Sequence, residues 1–401
     1  MIKYKWSKWY RNIFSFLLWI EMALQNIAVL GSGIMGHGIA QISAMAGYKV
    51  ILRDIEKQFL DRAMEKVKWS LQKLAEKNKI TKDQIEEFYN NINPVTDLND
   101  AVKEADLIIE AVPEDFNIKR NLYKELDQIV DNTRVIYASN TSTLPITELS
   151  KLTENPSKFI GVHFFNPPQI MKLVEIIPGT DTDNSITDKI TDFVKRIGKT
   201  PILCKKDVAG FIVNRIFIPI VHEAAYCLER DNVSKTIIDS AVKYKLDFPM
   251  GIFELADYTG LDVIYKATYE MSIRDKKVIY PNPKIKELYD SGNLGQKTGK
   301  GFYEYKGEKY ERINLSEEKA LEYDPISILG IATNNASWLI TNQVCNRGDL
   351  ENALKLGMGL KTDLFKLTEK FGYQKVIDNL NKLEERFGEF YHPDEYLLSL
   401  R

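Results

Sequence analysis

The sequence predicts an α/β Rossmann-like region with a parallel sheet, followed by an all-α region made of two related helical copies. Three observations carry that expectation. Apolar strand-like runs alternate with amphipathic helix-like runs from Asn26 to about Lys205, beyond Gly210 the apolar spacing becomes helical throughout, and two stretches of the helical region repeat one another at a constant offset.

The elements follow in chain order. Residues 1–24 are read as an N-terminal extension: Lys3, Lys5, Lys8 and Arg11 precede the apolar run Ile13 to Ile20. That run is shorter than the about 20 residues a spanning helix needs, and no small-residue cleavage site follows it. Met22 stands just ahead of the first strand and is a candidate start. Asn26-Ile-Ala-Val-Leu30 then runs into Gly31, Ser32, Gly33, Ile34, Met35 and Gly36, and a helix over Met35 to Ala46 leads to a strand over Lys49 to Leu52 that closes on Asp54. Each part has a task in binding a dinucleotide. Gly31 permits the tight turn, Gly33 lets backbone approach the pyrophosphate, and Gly36 lets helix and strand pack closely. The helix N-terminus offers free N–H groups to phosphate. Asp54 lies about 20 residues beyond the glycines, where a ribose-binding acid belongs, and its charge repels a 2′-phosphate. NAD is therefore expected over NADP, a preference that Arg53 and Lys57 beside it weaken slightly.

Asp54 to Ile80 reads as a charged helix with Leu60, Met64, Val67 and Leu71 on one face. A strand is expected over Ala105 to Val112, a helix over Asn117 to Val130, and a further strand over Val135 to Ala138. The hydroxyl cluster Ser139 to Thr143 follows, where open α/β sheets bind ligands; its other reading is a helix cap by Thr143 or Thr147. Phe159 to Phe164 ends a strand on His163, and Met171 to Ile177 opens another that carries Glu175. The connection through Asn166-Pro167-Pro168 is far shorter than a parallel crossover, so the pair is expected to be antiparallel with His163 beside Glu175. A carboxylate against an imidazole fixes its tautomer and supports its protonated form, as a general base requires. Past Gly210, Ile212, Val213, Ile216, Phe217, Ile220 and Val221 mark a helix with a kink expected at Pro219. Asn214 is a polar residue in its first turns and either caps it or points into a cleft. Gly295 to Tyr303 is basic and glycine-rich, but it lacks the Gly-Lys-Ser/Thr ending and the strand-to-helix setting of a nucleotide loop.

Composition excludes several classes. Lys plus Arg number 54 and Asp plus Glu 56 among 401 residues, so no basic excess points to nucleic acid. The three cysteines, Cys204, Cys227 and Cys345, and the four histidines, His37, His163, His222 and His392, have no metal-ligand spacing. Isolated thiols fit a reducing compartment, and a cytoplasmic location without stable membrane insertion is expected.

Taken together, Gly-Ser-Gly-Ile-Met-Gly, Glu-Ala-Val-Pro-Glu114, Ser-Asn-Thr-Ser142, His163-Phe-Phe-Asn-Pro, Gly-Phe-Ile-Val-Asn214-Arg and Lys297-Thr-Gly-Lys-Gly-Phe-Tyr resemble the L-3-hydroxyacyl-CoA dehydrogenase family, from Ile27 to about Tyr305. One departure is Ala209, where many relatives carry proline, with no chemical consequence expected. The resemblance implies a Rossmann-type NAD-binding domain and reversible NAD-dependent oxidation of an (S)-3-hydroxyacyl-CoA, with 3-hydroxybutyryl-CoA as the expected substrate. It implies His163 as catalytic base, Glu175 as its orienting partner, and Ser142 and Asn214 as hydrogen-bonding groups around the reacting oxygen. By the same resemblance NAD contacts fall on the Gly31–Gly36 turn (Ser32, Ile34 and Met35 included), Asp54, Glu114, Lys119, Ser142, Asn166 and Lys297, and coenzyme A contacts on Ser70 and Lys77. Lys77 reads equally as a solvated lysine. No hydratase module is present in the sequence.

The expected organisation is an extension over 1–24, an NAD-binding domain over 25–205, a helical domain over 206–310 and a degenerate second helical copy over 311–401. The copy rests on Phe253, Leu255 and Gly260 mapping onto Phe365, Leu367 and Gly372. It lacks a counterpart of Asn214 and is expected to be structural. Single-copy members of the family pair through this domain, so either a homodimer or a monomer with an internal pseudo-dimer is expected. Two other functions fit parts of the pattern: an NAD-dependent dehydrogenase of a free β-hydroxy acid, which would use a lysine and an anion-binding arginine, and a redox-silent NAD-binding protein, against which the complete Ser142, His163, Glu175 and Asn214 set argues.

Overall fold

A computed structural model describes residues 24–275, 277–307 and 312–401. The N-terminal extension lies outside the described residues except for Leu24. Two compact units emerge. One comprises the described residues up to Ser139 with Asn166–Ile170 and Asp188–Gly198; the other comprises Asn140–Phe165, Met171–Thr187 and Lys199–Arg401.

The first unit is built on parallel strands β1 (Asn26–Leu30), β2 (Lys49–Arg53), β3 (Ile92–Val95), β4 (Leu107–Glu110) and β5 (Ile136–Ser139), in the order β3-β2-β1-β4-β5. β1 and β4 are almost wholly buried, as strands covered on both faces must be, and so read as unbroken apolar runs. The order reverses between β1 and β4, which makes the carboxyl ends of those two strands a topological switch point. The helices are α1 (Gly36–Met45), α2 (Lys57–Glu76), α3 (Lys82–Asn90), α4 (Leu98–Val102) and α5 (Phe116–Leu126). α2 buries Leu60, Ala63, Met64, Val67 and Leu71, the face its apolar spacing predicts. α3 starts at a capping box of Thr81 and Gln84, and α5 starts where Asp115 accepts from the Asn117 and Ile118 amides.

Several boundaries differ from expectation. α5 stops at Leu126 rather than Val130, because the Gln128 and Ile129 amides turn to Glu125 and Leu126 in tighter i→i−3 bonds. The strand expected over Ala105 to Val112 is confined to Leu107–Glu110, and α2 begins at Lys57 and not at Asp54.

The second unit contains α6 (Ile146–Ser150) and strands β6 (Phe159–Phe164), β7 (Leu173–Pro178) and β8 (Thr200–Leu203). β6 and β7 are antiparallel, and β7 and β8 parallel. Neither Thr143 nor Thr147 caps α6, whose cap position is Pro145; Thr141 Oγ1 instead accepts from the Leu144 amide and closes a local turn. α7 (Asn184–Arg196) falls mostly in the first unit. The helical part of the second unit runs α8 (Val213–Arg230), α9 (Lys235–Lys245), α10 (Ile252–Thr259), α11 (Leu261–Arg274) and α12 (Pro283–Asp290). It continues with α13 (Glu317–Ala320), α14 (Ile326–Thr341), α15 (Arg347–Gly357), α16 (Leu364–Phe371), α17 (Tyr373–Phe387) and α18 (Glu395–Ser399). α8 runs unbroken through Pro219 and packs along α14. Among the described residues no helix is long and apolar enough to cross a membrane.

Candidate active site

The glycine turn sits at the carboxyl end of β1, and its geometry explains its residues. Gly31 has φ +99°, where side chains are strained, and a Cβ there would lie 2.5 Å from the Ala111 carbonyl oxygen. A Cβ on Gly36 would lie 1.7 Å from the Gly31 oxygen, so only glycine lets α1 start against the turn. Around Gly33 the space is open, with no atom within 4 Å of an added Cβ. Ser32 is buried and Ile34 exposed, and Met35 precedes α1 without a side-chain cap. The His37 amide donates to the Gly33 carbonyl (3.4 Å), and a helix N-terminus without a side-chain cap suits an anion. Asp54, at the end of β2, accepts at Oδ2 from both the amide and the hydroxyl of Ser32 (2.7 Å each) and at Oδ1 from the Ile55 amide. Its carboxylate is thus fixed beside the turn. Open space at Gly33, a helix N-terminus without a side-chain cap and a fixed acid fit a dinucleotide with an unphosphorylated ribose.

At the end of β4 sits a residue that sequence reasoning quoted without assigning a role. Glu110 is fully buried and accepts from four donors: Lys119 Nζ (2.6 Å) and the Val112 amide (3.0 Å) at Oε1, Tyr123 Oη (3.0 Å) and Ser139 Oγ (2.7 Å) at Oε2. Its signal was a single acid closing an apolar strand. Lys119 is also buried, between Glu110 and Glu114 (3.2 Å). Burial disfavours its ammonium, but the two carboxylates outweigh burial and raise its pKa. Lys119 thereby fixes the exposed Glu114 just past the carboxyl end of β4. Ser139, at the head of the expected hydroxyl cluster, is committed to Glu110. Asn166 is exposed, and Ser70 and Lys77 lie two turns apart on one side of α2, with Ser70 half-buried and Lys77 exposed at its end.

His163 and Glu175 are brought together as the short connection predicts. They face one another across the β6–β7 ladder, with His163 Nδ1 2.7 Å from Glu175 Oε2. Both are buried, the histidine 6% exposed and the glutamate 0%. A carboxylate only accepts, so Nδ1 carries the hydrogen and Nε2 keeps the lone pair. Phe165 and Phe211 pack on the ring, with centroids 4.5 and 5.8 Å away. Asn140 Oδ1 accepts from the Phe164 amide and ties down the residue after His163.

The other oxygen of Glu175 has partners with no local trace in the sequence. Oε1 accepts from the amides of Ile212 (3.2 Å) and Val213 (2.8 Å), the first free donors of α8. They are aimed there by two successive left-handed residues, Gly210 (φ +79°) and Phe211 (φ +53°). The non-glycine one costs about 1–2 kcal/mol, less than the two charge-assisted bonds it creates at about 1.5–3 kcal/mol each. Asn214, one residue on, donates from Nδ2 to the Ser142 carbonyl (3.2 Å), so the second unit gathers Ser142, His163, Glu175 and Asn214. That set can hold a substrate oxygen and move one proton at Nε2.

Lys297 forms a close ion pair with Asp262. The glycines around it serve packing: a Cβ on Gly295 would lie 2.2 Å from the Asp257 carbonyl oxygen, and one on Gly301 2.1 Å from its carboxylate, which accepts from the Phe302 and Tyr303 amides. The basic segment is thus anchored on α10. Among the described residues there is no group of histidine, cysteine and acidic side chains that could hold a metal.

Comparison with known proteins gives consistent matches. Residues 26–208 match the pattern of the 3-hydroxyacyl-CoA dehydrogenase NAD binding domain, and residues 210–305 that of the 3-hydroxyacyl-CoA dehydrogenase C-terminal domain. The mitochondrial hydroxyacyl-coenzyme A dehydrogenase of Sus scrofa is 38% identical over 294 residues, 71% of this chain and 93% of that protein. A probable 3-hydroxybutyryl-CoA dehydrogenase of Deinococcus radiodurans is 39% identical, over 70% of this chain and all of its own length (100%). Among solved structures, 3-hydroxybutyryl-CoA dehydrogenase from Escherichia coli K12 superposes with a TM-score of 0.83 at 25% identity, covering 94% of this chain and 98% of that one.

Proposed function

The chain belongs to the 3-hydroxyacyl-CoA dehydrogenase family, and we propose that His163, oriented by Glu175, is the acid–base group of its reaction. The protein is an NAD-dependent oxidoreductase that converts 3-hydroxyacyl-CoA to 3-ketoacyl-CoA. The single observation that carries the assignment of roles is the 2.7 Å contact between His163 Nδ1 and Glu175 Oε2, with the remaining oxygen of Glu175 held by two amides.

NAD held at the glycine turn would supply the hydride acceptor for C3. His163 Nε2 takes the proton of the C3 hydroxyl, and the imidazolium that results is stabilised by the buried carboxylate of Glu175. Ser142 and Asn214 hold the C3 oxygen or the thioester carbonyl, a matter of positioning and electrostatics. In the cofactor region the Gly31–Gly36 turn receives the pyrophosphate, Asp54 the ribose hydroxyls, and Glu114, Lys119, Asn166 and Lys297 the remaining contacts. Ser70 and Lys77 on α2 receive coenzyme A.

In this reading the chain divides into an NAD-binding domain over 25–205, a helical domain over 206–310 and a second helical copy over 311–401. Support for the copy comes from paired features at one offset of 112 residues. Gly260 (φ +103°) and Gly372 (φ +91°) each separate an eight-residue helix from a longer one. Asp247 and Gly359 both adopt positive φ, and Ser234 and Asn346 both cap the second helix of their set. α8 lies along α14, as the first helices of two pairing copies would, so the chain acts as a monomeric pseudo-dimer. Three free, buried cysteines are in keeping with a cytoplasmic setting.

The deciding experiment follows NADH oxidation with a chain-length series of 3-ketoacyl-CoA thioesters, starting from acetoacetyl-CoA, beside free acetoacetate. Turnover of the thioesters with a four-carbon optimum is expected. Turnover of the free acid alone would replace this reading.

A further inference from the structure

The second helical copy carries no residue of the Ser142, His163, Glu175 and Asn214 set, yet it packs directly behind the elements that hold Glu175. Gly357 is the last residue of α15. A Cβ on it would meet Leu173 Cδ2 at 2.9 Å and Val213 Cγ2 at 3.0 Å. Leu173 stands two residues before Glu175 and so on the same face of β7. Val213 supplies the shorter of the two amide bonds to Glu175 Oε1. Two residues further along α8, Arg215 is 1% exposed; its guanidinium lies 3.8 Å from the ring centre of Trp338 on α14 and pairs with Asp275 at 2.6 Å. The Lys205 amide, just past β8, donates to the Val344 carbonyl. The first turn of α8 is therefore gripped from two helices of the second copy.

We propose that the second copy is a positioning element of the reaction, with Gly357 and Trp338 setting the first turn of α8 so that its amides hold Glu175 against His163. The inference rests on the assignment of His163 and Glu175 above. The mechanical link is short: volume added at 357 pushes the Val213 side chain, and its amide moves with it. Catalytic geometry displaced by about 1 Å costs on the order of 100-fold, so a shift of a few tenths of an ångström corresponds to about 3- to 10-fold.

The test uses full-length Gly357→Ala and Gly357→Val variants, alone and combined with Glu175→Gln, assayed with acetoacetyl-CoA and NADH. The expected result is a graded fall in kcat, Val below Ala, with the NADH dissociation constant changed less than about twofold, since the glycine turn is untouched. In the Glu175→Gln background the extra fall should shrink, leaving only what displacement of Asn214 contributes. Trp338→Ala should lower kcat in the same way and Trp338→Phe restore it, because phenylalanine keeps a ring face for Arg215; these variants decide the matter if Gly357→Val does not fold. Wild-type kcat in folded Gly357→Val or Trp338→Ala, or an undiminished fall beside Glu175→Gln, overturns the proposal. A wild-type protein inactive on every 3-ketoacyl-CoA would instead sink the assigned reaction.

Discussion

Replacing Glu175 by glutamine isolates charge and acceptor capacity at nearly constant shape. Glu175 is surrounded by donors only: His163 Nδ1 on one oxygen, the Ile212 and Val213 amides on the other. Glutamine must turn its NH2 toward one of these groups. If it faces His163, Nδ1 becomes an acceptor, the hydrogen moves to Nε2, and the ring can no longer take a proton there. If it faces α8, two buried amides lose their acceptor, at about 1–3 kcal/mol each. The first arrangement costs less for folding and is the more damaging for catalysis. An equivalent Asp→Asn change behind the histidine of a Ser–His–Asp triad lowers kcat by about 10⁴ through the same tautomer reversal. Loss of one charge-assisted bond at about 1.5–3 kcal/mol sets a lower bound near tenfold. Glu175→Gln should therefore lower kcat for acetoacetyl-CoA reduction by about 10²–10⁴, with NADH affinity near wild type. Steady-state NADH absorbance and fluorescence titration read both quantities. A kcat within about threefold of wild type would refute the reasoning, since it leaves less than one ordinary hydrogen bond at stake.

Other perturbations test separate parts of the account. Gly33→Ala should fold with unchanged Tm yet bind NADH weakly, because its Cβ enters open space kept for the pyrophosphate, whereas Gly36→Ala should lose both, its Cβ falling on the Gly31 carbonyl. Equal stability of the two variants in thermal melts would contradict this. Asp54→Ser should raise the NADPH-to-NADH ratio of kcat/KM, and an unchanged ratio would remove Asp54 from cofactor selection. His222 is buried, its Nδ1 accepting from the Asn282 amide and its Nε2 bonded to Thr268, and burial pushes its pKa down to about 3. The unfolded chain therefore takes up that proton first, near pH 6.5, and stability is lost as pH falls from there toward 3. Between pH 7 and pH 5 this group should cost about 2 kcal/mol, a loss that denaturant titration should find missing in His222→Gln; an identical pH dependence would count against it.

Much of the site was legible because its signals are local. The glycine turn, the acid after β2 and the antiparallel β6–β7 pair follow from turn length and period, which is why His163 and Glu175 could be paired from twelve positions of sequence. What escaped reading depends on contacts distant in sequence. The amides on Glu175 come from 37 and 38 residues away, and Phe211 has no composition cue for a left-handed backbone. Glu110 gathers donors from the helix after β4 and the strand after that. Lys119, expected as a cofactor contact, also holds that buried cluster together through Glu110 and Glu114. Thr143 and Thr147 had good capping side chains, but Pro145 pre-sets the backbone at the start of α6 and Thr141 forms the turn. Glycine pattern alone could not separate a phosphate loop from a packing motif at Gly295 and Gly301; the position of Asp257 does.

The most direct measurement is single-turnover NADH oxidation by His163→Gln with saturating acetoacetyl-CoA, alongside its NADH dissociation constant. Removing the proton carrier at Nε2 while leaving the glycine turn intact should abolish the reaction and leave cofactor affinity near normal. Turnover at the wild-type rate with NADH bound would show that the proton travels by another route, and the roles assigned to His163 and Glu175 would fall together.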